Sequence, residues 1–275
     1  MSKERSWKKE RRKSIKINGL GFVRPDVLVA MGSYMRVRYS MEYDGVKQKK
    51  ADEIDPVLFC WSGGKDSAMA LHALRQLRDL RVAALLTTVT EGYERISMHG
   101  VRRALLLRQA QDIGLPLQEV RIPPQCVNPI YEARMREALL LQKENGVRRV
   151  AFGDIFLQDL REYRERNLAQ VEMEAIFPIW KRDTRELAQE FCAMGFRAVA
   201  VCIDSKKLSR EFAGREVDES FFSDLPAGVD PCGENGEFHT FVYQGPIFSD
   251  AIAIERGEVV ERDGFYFCDL TEKAR

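Results

Sequence analysis

Residues 57–67, with the sequence VLFCWSGGKDS, join an apolar run to a glycine-rich turn. The apolar run over residues 57–61 is typical of a short buried strand. Behind the turn, apolar residues recur at the spacing of an amphipathic helix, namely Ala70, Leu71, Leu74 and Leu77. Gly63 and Gly64 therefore lie where a strand turns sharply into a helix, and their bare backbone leaves room for a ligand.

The first turn of this helix is a predicted phosphate site, because its free N–H groups and the helix dipole attract anions. Lys65 adds a positive charge, and Ser62 and Ser67 add hydroxyl donors. Asp66 could hold a Mg²⁺ ion that bridges phosphates. The loop is not a Walker A motif, because Phe59 stands where that motif requires its first glycine. The stretch therefore predicts a polyphosphate cradle of another type.

From residue 56 onward, apolar strands alternate with amphipathic helices. The strands are expected over residues 57–61, 81–89, 117–122 and 148–152. This order predicts an α/β fold with a doubly wound parallel sheet and right-handed crossovers. After about residue 182 one helix is followed by strands expected over 198–203, 238–243 and 251–255, with a hairpin turn at Asp263-Gly264. We expect a nucleotide-binding domain over residues 51–182 and a second, smaller α+β domain over residues 183–275.

The charge balance divides the chain unevenly. Residues 1–50 hold 14 Lys and Arg against 5 Asp and Glu with little apolar content, so we expect a basic, disordered extension. The remainder of the chain holds 29 Lys and Arg against 37 Asp and Glu, and this net negative charge is not typical of a protein that binds nucleic acid. The six cysteines form no C-x-x-C pair, and no apolar run reaches the ~18 residues of a membrane span. A reduced, cytoplasmic protein without a membrane segment or structural zinc is expected.

Two residues that follow the predicted strand over 148–152 lie at the same sheet edge as residues 62–67, which we call the phosphate loop. These are Gly153 and Asp154. Ligands of open α/β sheets bind beyond the carboxyl ends of strands. Asp154 could complete a Mg²⁺ or ribose contact, or it could be an ordinary helix N-cap. Thr88, at the end of the second strand, could form part of a wall for adenine. Arg164 falls on or near the next helix and could reach a phosphate.

A second concentration of chemistry is the loop over residues 230–240, DPCGENGEFHT. Its glycines let backbone approach a ligand, and its carboxylates could bind a cationic or amine group or take a proton. The same composition also suits a polar loop built from Asx turns.

Five motifs together resemble the diphthine–ammonia ligase family of the PP-loop ATP pyrophosphatases, whose fold is adenine nucleotide alpha hydrolase-like. They are residues 62–67 (SGGKDS), 97–100 (SMHG), 152–155 (FGDI), 162–164 (EYR) and 233–240 (GENGEFHT). The resemblance runs from about residue 56 to the hairpin. It implies that the first domain binds ATP and that the second domain completes an acceptor site.

The reaction that this resemblance implies is ATP-dependent and releases AMP and pyrophosphate. The carboxylate of diphthine on elongation factor 2 is adenylated, and free ammonia then attacks to form the amide. ATP and Mg²⁺ are the implied cofactors, with Asp66 and Asp154 as expected metal contacts. Lys65, Glu237 and His239 are the expected catalytic residues, with Glu237 as general base. The expected acceptor-binding residues are Asp230, Cys232, Glu234, Asn235, Glu237 and His239.

The loop over residues 230–240, which we call the acceptor loop, departs from the diphthamide-forming pattern at two positions. Asn235 and His239 stand where that pattern has Gly and Glu. The form in this chain is similar to a bacterial branch of the family, for which a corrinoid-pathway or other small-molecule carboxylate is the alternative acceptor. An imidazole in place of a carboxylate removes an attractive partner for the trimethylammonium group of diphthine.

Two further classes of function compete with the ligase. A tRNA-modifying PP-loop enzyme would predict metal-binding C-x-x-C pairs and a basic body, and the sequence has neither. A nucleotide-binding sensor without chemistry would need no acceptor loop. The ligase therefore remains the leading prediction.

Overall fold

The strand before the phosphate loop is β1 (Asp55–Cys60), and the helix after it is α1 (Lys65–Leu74). Both follow from the apolar run and the apolar stripe in the sequence. The computed structural model describes residues 54–96 and 100–273. The predicted extension over residues 1–50 and most of the SMHG motif lie outside the described residues.

A mainly parallel sheet surrounds β1. Its parallel strands run in the order β4 (Leu117–Ile122), β2 (Leu80–Thr90), β1, β5 (Arg149–Ala151) and β6 (Glu174–Ile176). A short strand, β3 (Arg95–Ile96), pairs antiparallel with the end of β2. Strand order reverses between β1 and β5, which is where a doubly wound sheet opens a crevice for a ligand. The predicted parallel sheet is confirmed.

Helices cover both faces of this sheet. On one face α1 and α2 (Arg103–Ile113) pack with Val57 and Phe59 of β1, through leucines that include Leu71 and Leu106. On the other face α3 (Asn128–Glu144) and α4 (Gln158–Ala169) pack with Leu58. Neighbouring residues of β1 therefore enter opposite cores, as expected for a strand that is buried on both sides.

The C-terminal residues form a smaller antiparallel sheet in the order β8 (Phe238–Gln244), β7 (Arg197–Asp204), β10 (Phe265–Glu272) and β9 (Ile254–Arg262). Two helices, α5 (Thr184–Ala193) and α6 (Glu219–Ser223), accompany it. Asp183 caps α5 by accepting hydrogen bonds from the backbone N–H groups of Arg185 (2.9 Å) and Glu186 (3.1 Å). The predicted smaller α+β unit is confirmed.

One predicted strand was misplaced. Residues 251–253 lie outside the sheet, and β9 begins at Ile254. The register places Ile254 opposite Glu272 at the end of β10, whereas the Ile252 N–H donates to the Tyr243 carbonyl oxygen of β8 (2.8 Å), so the residues before Ile254 leave the ladder with β10. The hairpin turn at Asp263-Gly264 is where the sequence predicts it, since Arg262 pairs with Phe265.

The two sheets share one core. Leu71 of α1, Phe191 of α5, Val199 of β7 and Phe241 of β8 belong to the same buried cluster. In the part of the chain that the structure describes, no helix is long and apolar enough to cross a membrane.

Candidate active site

A cavity of about 460 Å³ opens at the carboxyl ends of β1, β2 and β5. Such a volume is typical of small-ligand sites, which span roughly 300–1,000 Å³. The phosphate loop, Leu86 to Thr88 at the end of β2, and Phe152 to Asp154 after β5 line it. Gly233 and Glu234 of the loop before β8, and His239 of β8 itself, close another side. All of the predicted nucleotide-site residues except Gly63 therefore line one cavity.

The phosphate loop is held by its own hydroxyl groups. Gly64 is the N-cap of α1, and Gly63 has a φ of +81°, a conformation that favours glycine. The hydroxyl oxygens of Ser62 and Ser67 lie 2.9 Å apart, and Ser67 donates to the Gly64 carbonyl at 3.0 Å. These bonds fix the start of α1 beside the cavity.

Gly153 is in direct contact with the first turn of α1. A Cβ atom placed on Gly153 would lie 2.9 Å from the backbone nitrogen of Ser67 and 3.0 Å from its Cα. The neighbouring atoms are backbone atoms of a helix, so they cannot move aside as the end of a side chain could. Only glycine at this position lets β5 and α1 approach closely enough to form the cavity.

We expect Gly153→Ala to lower the free energy of unfolding by about 1–3 kcal/mol, as overpacking does, and to weaken nucleotide binding. Urea denaturation and calorimetry would measure the two effects. Gly257→Ala is the matched control, because its Cβ would lie at an ordinary 3.4 Å from the Asp269 carbonyl oxygen. Equal stability of the two variants would contradict the contact between Gly153 and α1.

Lys65 joins the two halves of the protein. Its side chain is 3% exposed, and its Nζ donates to the Asp66 carboxylate at 2.7 Å and to the Cys232 carbonyl oxygen. Burial lowers the pKa of Lys65, but the charge and hydrogen bond of Asp66, together with nearby Cys232 and Glu234, more than offset this, so the pKa lies above its usual range. The sequence predicted a cation for the phosphate cradle, and the structure holds that cation charged, between α1 and the acceptor loop.

Asp154 and Arg164 form an ion pair at the cavity. The Arg164 Nε lies 2.7 Å from Asp154 Oδ2, and a terminal nitrogen of Arg164 donates to Oδ1 at 3.0 Å. The guanidinium also lies 4.4 Å from the ring centre of Phe152, which fixes its plane. The N-cap of α4 is Leu157, so the alternative interpretation of Asp154 as a helix cap is wrong.

Two carboxylates fold the acceptor loop from within. Asp230 accepts hydrogen bonds from the backbone N–H groups of Cys232 (3.1 Å) and Glu234 (3.0 Å). Glu237 is 1% exposed and accepts from the Asp230 N–H (3.3 Å) and the Asn235 amide (3.1 Å). Neither carboxylate lines the cavity. The structure thus differs from the prediction that Glu237 faces the acceptor, because its hydrogen bonds turn it into the loop.

Cys232 and Asn235 also differ from the predicted acceptor set. The Cys232 thiol lies 3.5 Å from the Thr184 carbonyl, on the side of α5, so only the backbone carbonyl of this residue reaches Lys65. Asn235 is exposed and donates to Glu237. Both residues shape the loop rather than line the cavity.

Glu234 is the carboxylate that this loop presents to the cavity. Its Oε1 accepts hydrogen bonds from the backbone N–H groups of Ile155 (2.7 Å) and Phe156 (3.3 Å). Burial raises the pKa of Glu234 to about 7, and the nearby charges of Asp66 and Asp154 add to this rise. A carboxyl group that titrates near neutral pH is suited to proton transfer.

His239 also lines the cavity. Burial lowers its pKa to about 4, and the charge of Lys65 acts in the same direction. The imidazole is therefore neutral at physiological pH. At this position β8 presents a neutral ring to the cavity.

The donor set at the cavity fits a magnesium ion that arrives with a nucleotide. No group of three or more His, Cys, Asp and Glu side chains among the described residues could hold a metal unaided. Asp66 and Asp154 nonetheless line the same cavity, where they are paired with Lys65 and Arg164. Mg²⁺ is usually bound by one or two carboxylates together with phosphates and water.

Sequence reasoning missed two residues that hold the phosphate loop. Gln109 of α2 is fully buried and donates to the carbonyl oxygens of Gly63 (3.0 Å) and Val242 (2.6 Å). The Thr240 hydroxyl accepts a hydrogen bond from the Lys65 backbone N–H at 2.9 Å. A glutamine within the apolar stripe of α2 was the available signal for Gln109.

Two family models match consecutive parts of this chain. Residues 56–174 match the family model described as diphthamide synthase N-terminal domain, and residues 183–273 match the diphthamide synthase C-terminal domain. Together the two matches cover about three quarters of the chain.

Curated relatives carry the name diphthine–ammonia ligase. The chain is 24% identical over 236 residues to the protein of Schizosaccharomyces pombe, covering 79% of this chain but only 39% of that relative. It is 24% identical over 231 residues to the Bos taurus protein, covering 76% of this chain and 86% of the relative. The Homo sapiens protein is 24% identical over 221 residues, which cover 72% and 82%. With both domain models matched in order, the chain belongs to the diphthamide synthase family.

Proposed function

We propose that this protein is an ATP-dependent, AMP-forming ligase that joins ammonia to a carboxylate, of the diphthine–ammonia ligase type. The observation that carries the proposal is the single cavity shared by the phosphate loop and the acceptor loop. A sensor that only binds nucleotide would not need Glu234 and His239, from the loop before β8 and from β8, at the phosphate site. A tRNA-modifying enzyme is not favoured by any contact in the cavity.

ATP would lie with its phosphates at the start of α1. The hydroxyl groups of Ser62 and Ser67 and the N–H groups of the first turn would bind them, and Arg164 lies at the cavity for further charge. Thr88, Leu86 and Thr87 would contact the base. Asp66 and Asp154 would hold Mg²⁺, which supplies charge neutralisation for the phosphates when bound.

The proposed chemistry has two steps. An oxygen of the acceptor carboxylate attacks the α-phosphorus of ATP, the bond from this phosphorus to the bridging oxygen breaks, and pyrophosphate leaves. The nitrogen of ammonia then attacks the acyl carbon, the bond from carbon to the AMP oxygen breaks, and one proton is lost. Glu234 is the group at the cavity that can take this proton, because its pKa lies near 7.

The acceptor is either diphthine on elongation factor 2 or a small-molecule carboxylate such as one of a corrinoid pathway. The names of the relatives favour diphthine, which would place the reaction in the cytoplasm. The neutral His239 offers less attraction to a trimethylammonium group than a carboxylate would. AMP and pyrophosphate release should therefore be measured with each acceptor in the presence and absence of ammonia. The proposal would be contradicted if the products were ADP and phosphate, or if the rate of AMP release were the same with and without ammonia.

The pH profile identifies the base. With Glu234 as base, kcat/KM for ammonia, calculated per neutral NH₃ at each pH, should rise with pH and level off above about 7, because the deprotonated carboxylate is the active form. We expect Glu234→Gln to abolish this rise of kcat/KM with pH and to lower amide formation about 10²–10⁴-fold. Glu237→Gln is the matched comparison, and its kcat/KM should still rise with pH as in the wild type. If the rise disappears in Glu237→Gln and persists in Glu234→Gln, Glu237 rather than Glu234 is the base.

A further inference from the structure

A second cavity of about 330 Å³ lies between α3 and α4, on the sheet face opposite α1 and α2. Of the proposed nucleotide and acceptor contacts, Arg164 alone also lines this second cavity. It adjoins the active-site cavity, because both are lined by the same five side chains. These are Cys60, Tyr131, Met135, Phe152 and Arg164. The two cavities are therefore separated only by these shared side chains.

The second cavity changes character from its inner to its outer end. The inner end is apolar and buried, with Leu139 (5% exposed), Val150 (0%) and Leu168 (2%). The outer end is formed by exposed or half-buried residues, among them Ala133 and Glu132. The Glu132 carboxylate accepts a hydrogen bond from the Tyr163 hydroxyl at 2.9 Å. The mouth thus carries the Glu132 carboxylate together with the guanidinium of Arg136, which donates to Gln170, and it leads to an apolar interior beside the active-site cavity.

The proposed reaction has three reactants, and two of them are large. ATP and the acceptor meet at the phosphate and acceptor loops, so that they occupy the cavity where those loops converge. Ammonia attacks only after the acyl-adenylate has formed, when both large groups still fill that cavity. A separate entrance would let ammonia reach the acyl carbon without release of the intermediate to water, which would hydrolyse it.

We propose that the second cavity is the entry route for ammonia. This proposal rests on the proposed function. Glu132 attracts ammonium at the mouth, and the apolar interior passes only neutral NH₃, because moving an unpaired charge into it is costly. The ammonium proton stays in solvent. Ammonia then forms the C–N bond as AMP leaves, and the second proton passes to Glu234.

Blocking the mouth tests the route. Ala133→Trp adds a large side chain at the exposed end of the cavity, and Ala169→Trp adds the same side chain to α4 at an exposed position that lines neither cavity. Ala133→Trp should raise KM for ammonia roughly tenfold or more while kcat and KM for ATP stay unchanged. Ala169→Trp should change none of these constants. An unchanged KM for ammonia in a folded Ala133→Trp protein would overturn the route.

A second variant tests the charge of the mouth. Glu132→Gln keeps an acceptor for the Tyr163 hydroxyl and removes the negative charge. The KM for ammonium chloride should rise in this variant at low ionic strength, and the difference from wild type should shrink as added salt screens the charge. Identical KM values at low salt would contradict the role of Glu132. If the wild-type protein itself releases no AMP in response to ammonia, the proposed function fails, and the route fails with it.

Discussion

Lys65→Met should lower turnover by at least about 10²-fold, as loss of a preorganised cation near developing charge does. The variant should also be less stable by about 2–3 kcal/mol. Breaking a fully buried ion pair costs ~3–5 kcal/mol. The Asp66 side chain is 30% exposed, and water therefore recovers part of that cost. Kinetics of AMP release and urea denaturation would measure the two effects.

The matched control for this prediction is Lys207→Met, at an exposed lysine of the second half of the chain. We expect both its turnover and its stability to stay at the wild-type level. Lys65 contacts the Cys232 carbonyl oxygen 167 residues away, so a loss of stability in Lys65→Met also reports on the junction between the two halves. Wild-type turnover in Lys65→Met would contradict the placement of the phosphates at α1.

Gln109→Leu should lower the free energy of unfolding by about 2–4 kcal/mol, because a buried donor that loses its acceptor costs ~1–3 kcal/mol and lost packing adds to this. The Trp61 indole N–H would lose its 2.9 Å bond to the Gln109 side-chain oxygen. The Gly63 and Val242 carbonyl oxygens would lose the Gln109 donor. Urea should therefore unfold the variant at a lower concentration, and the variant should bind nucleotide more weakly, because Gly63 is part of the phosphate loop.

Gln111→Leu, an exposed glutamine on the same helix, is the control for this second prediction. This variant should have the wild-type free energy of unfolding and the wild-type affinity for nucleotide. A Gln109→Leu protein with wild-type stability would show that Trp61 and the phosphate loop do not depend on this side chain.

The parallel sheet was predictable because its signals are local. The apolar run over residues 57–61, the glycine turn and the stripe of α1 each lie within a few residues of one another. β6 spans only Glu174–Ile176, which is too short to show a period, and the sequence analysis missed it. The start of β9 was misplaced because the register with β10, rather than local pattern, determines where that strand begins.

The candidate site was predictable in its residue types but not in its orientations. The loop over residues 230–240 contains three carboxylates, and no periodic backbone determines which of them faces outward. Hydrogen bonds turn Asp230 and Glu237 inward, while two N–H groups of the loop after β5 hold Glu234 at the cavity. Contacts between residues this far apart in the chain leave no local signal.

The most direct test of the central claim follows an oxygen atom. With an acceptor whose carboxylate carries ¹⁸O, the proposed adenylation leaves one labelled oxygen on the phosphorus of AMP after ammonia displaces it. Mass spectrometry of the released AMP should therefore show one ¹⁸O per amide formed. Unlabelled AMP, or label found in inorganic phosphate, would contradict an AMP-forming ligase at this site.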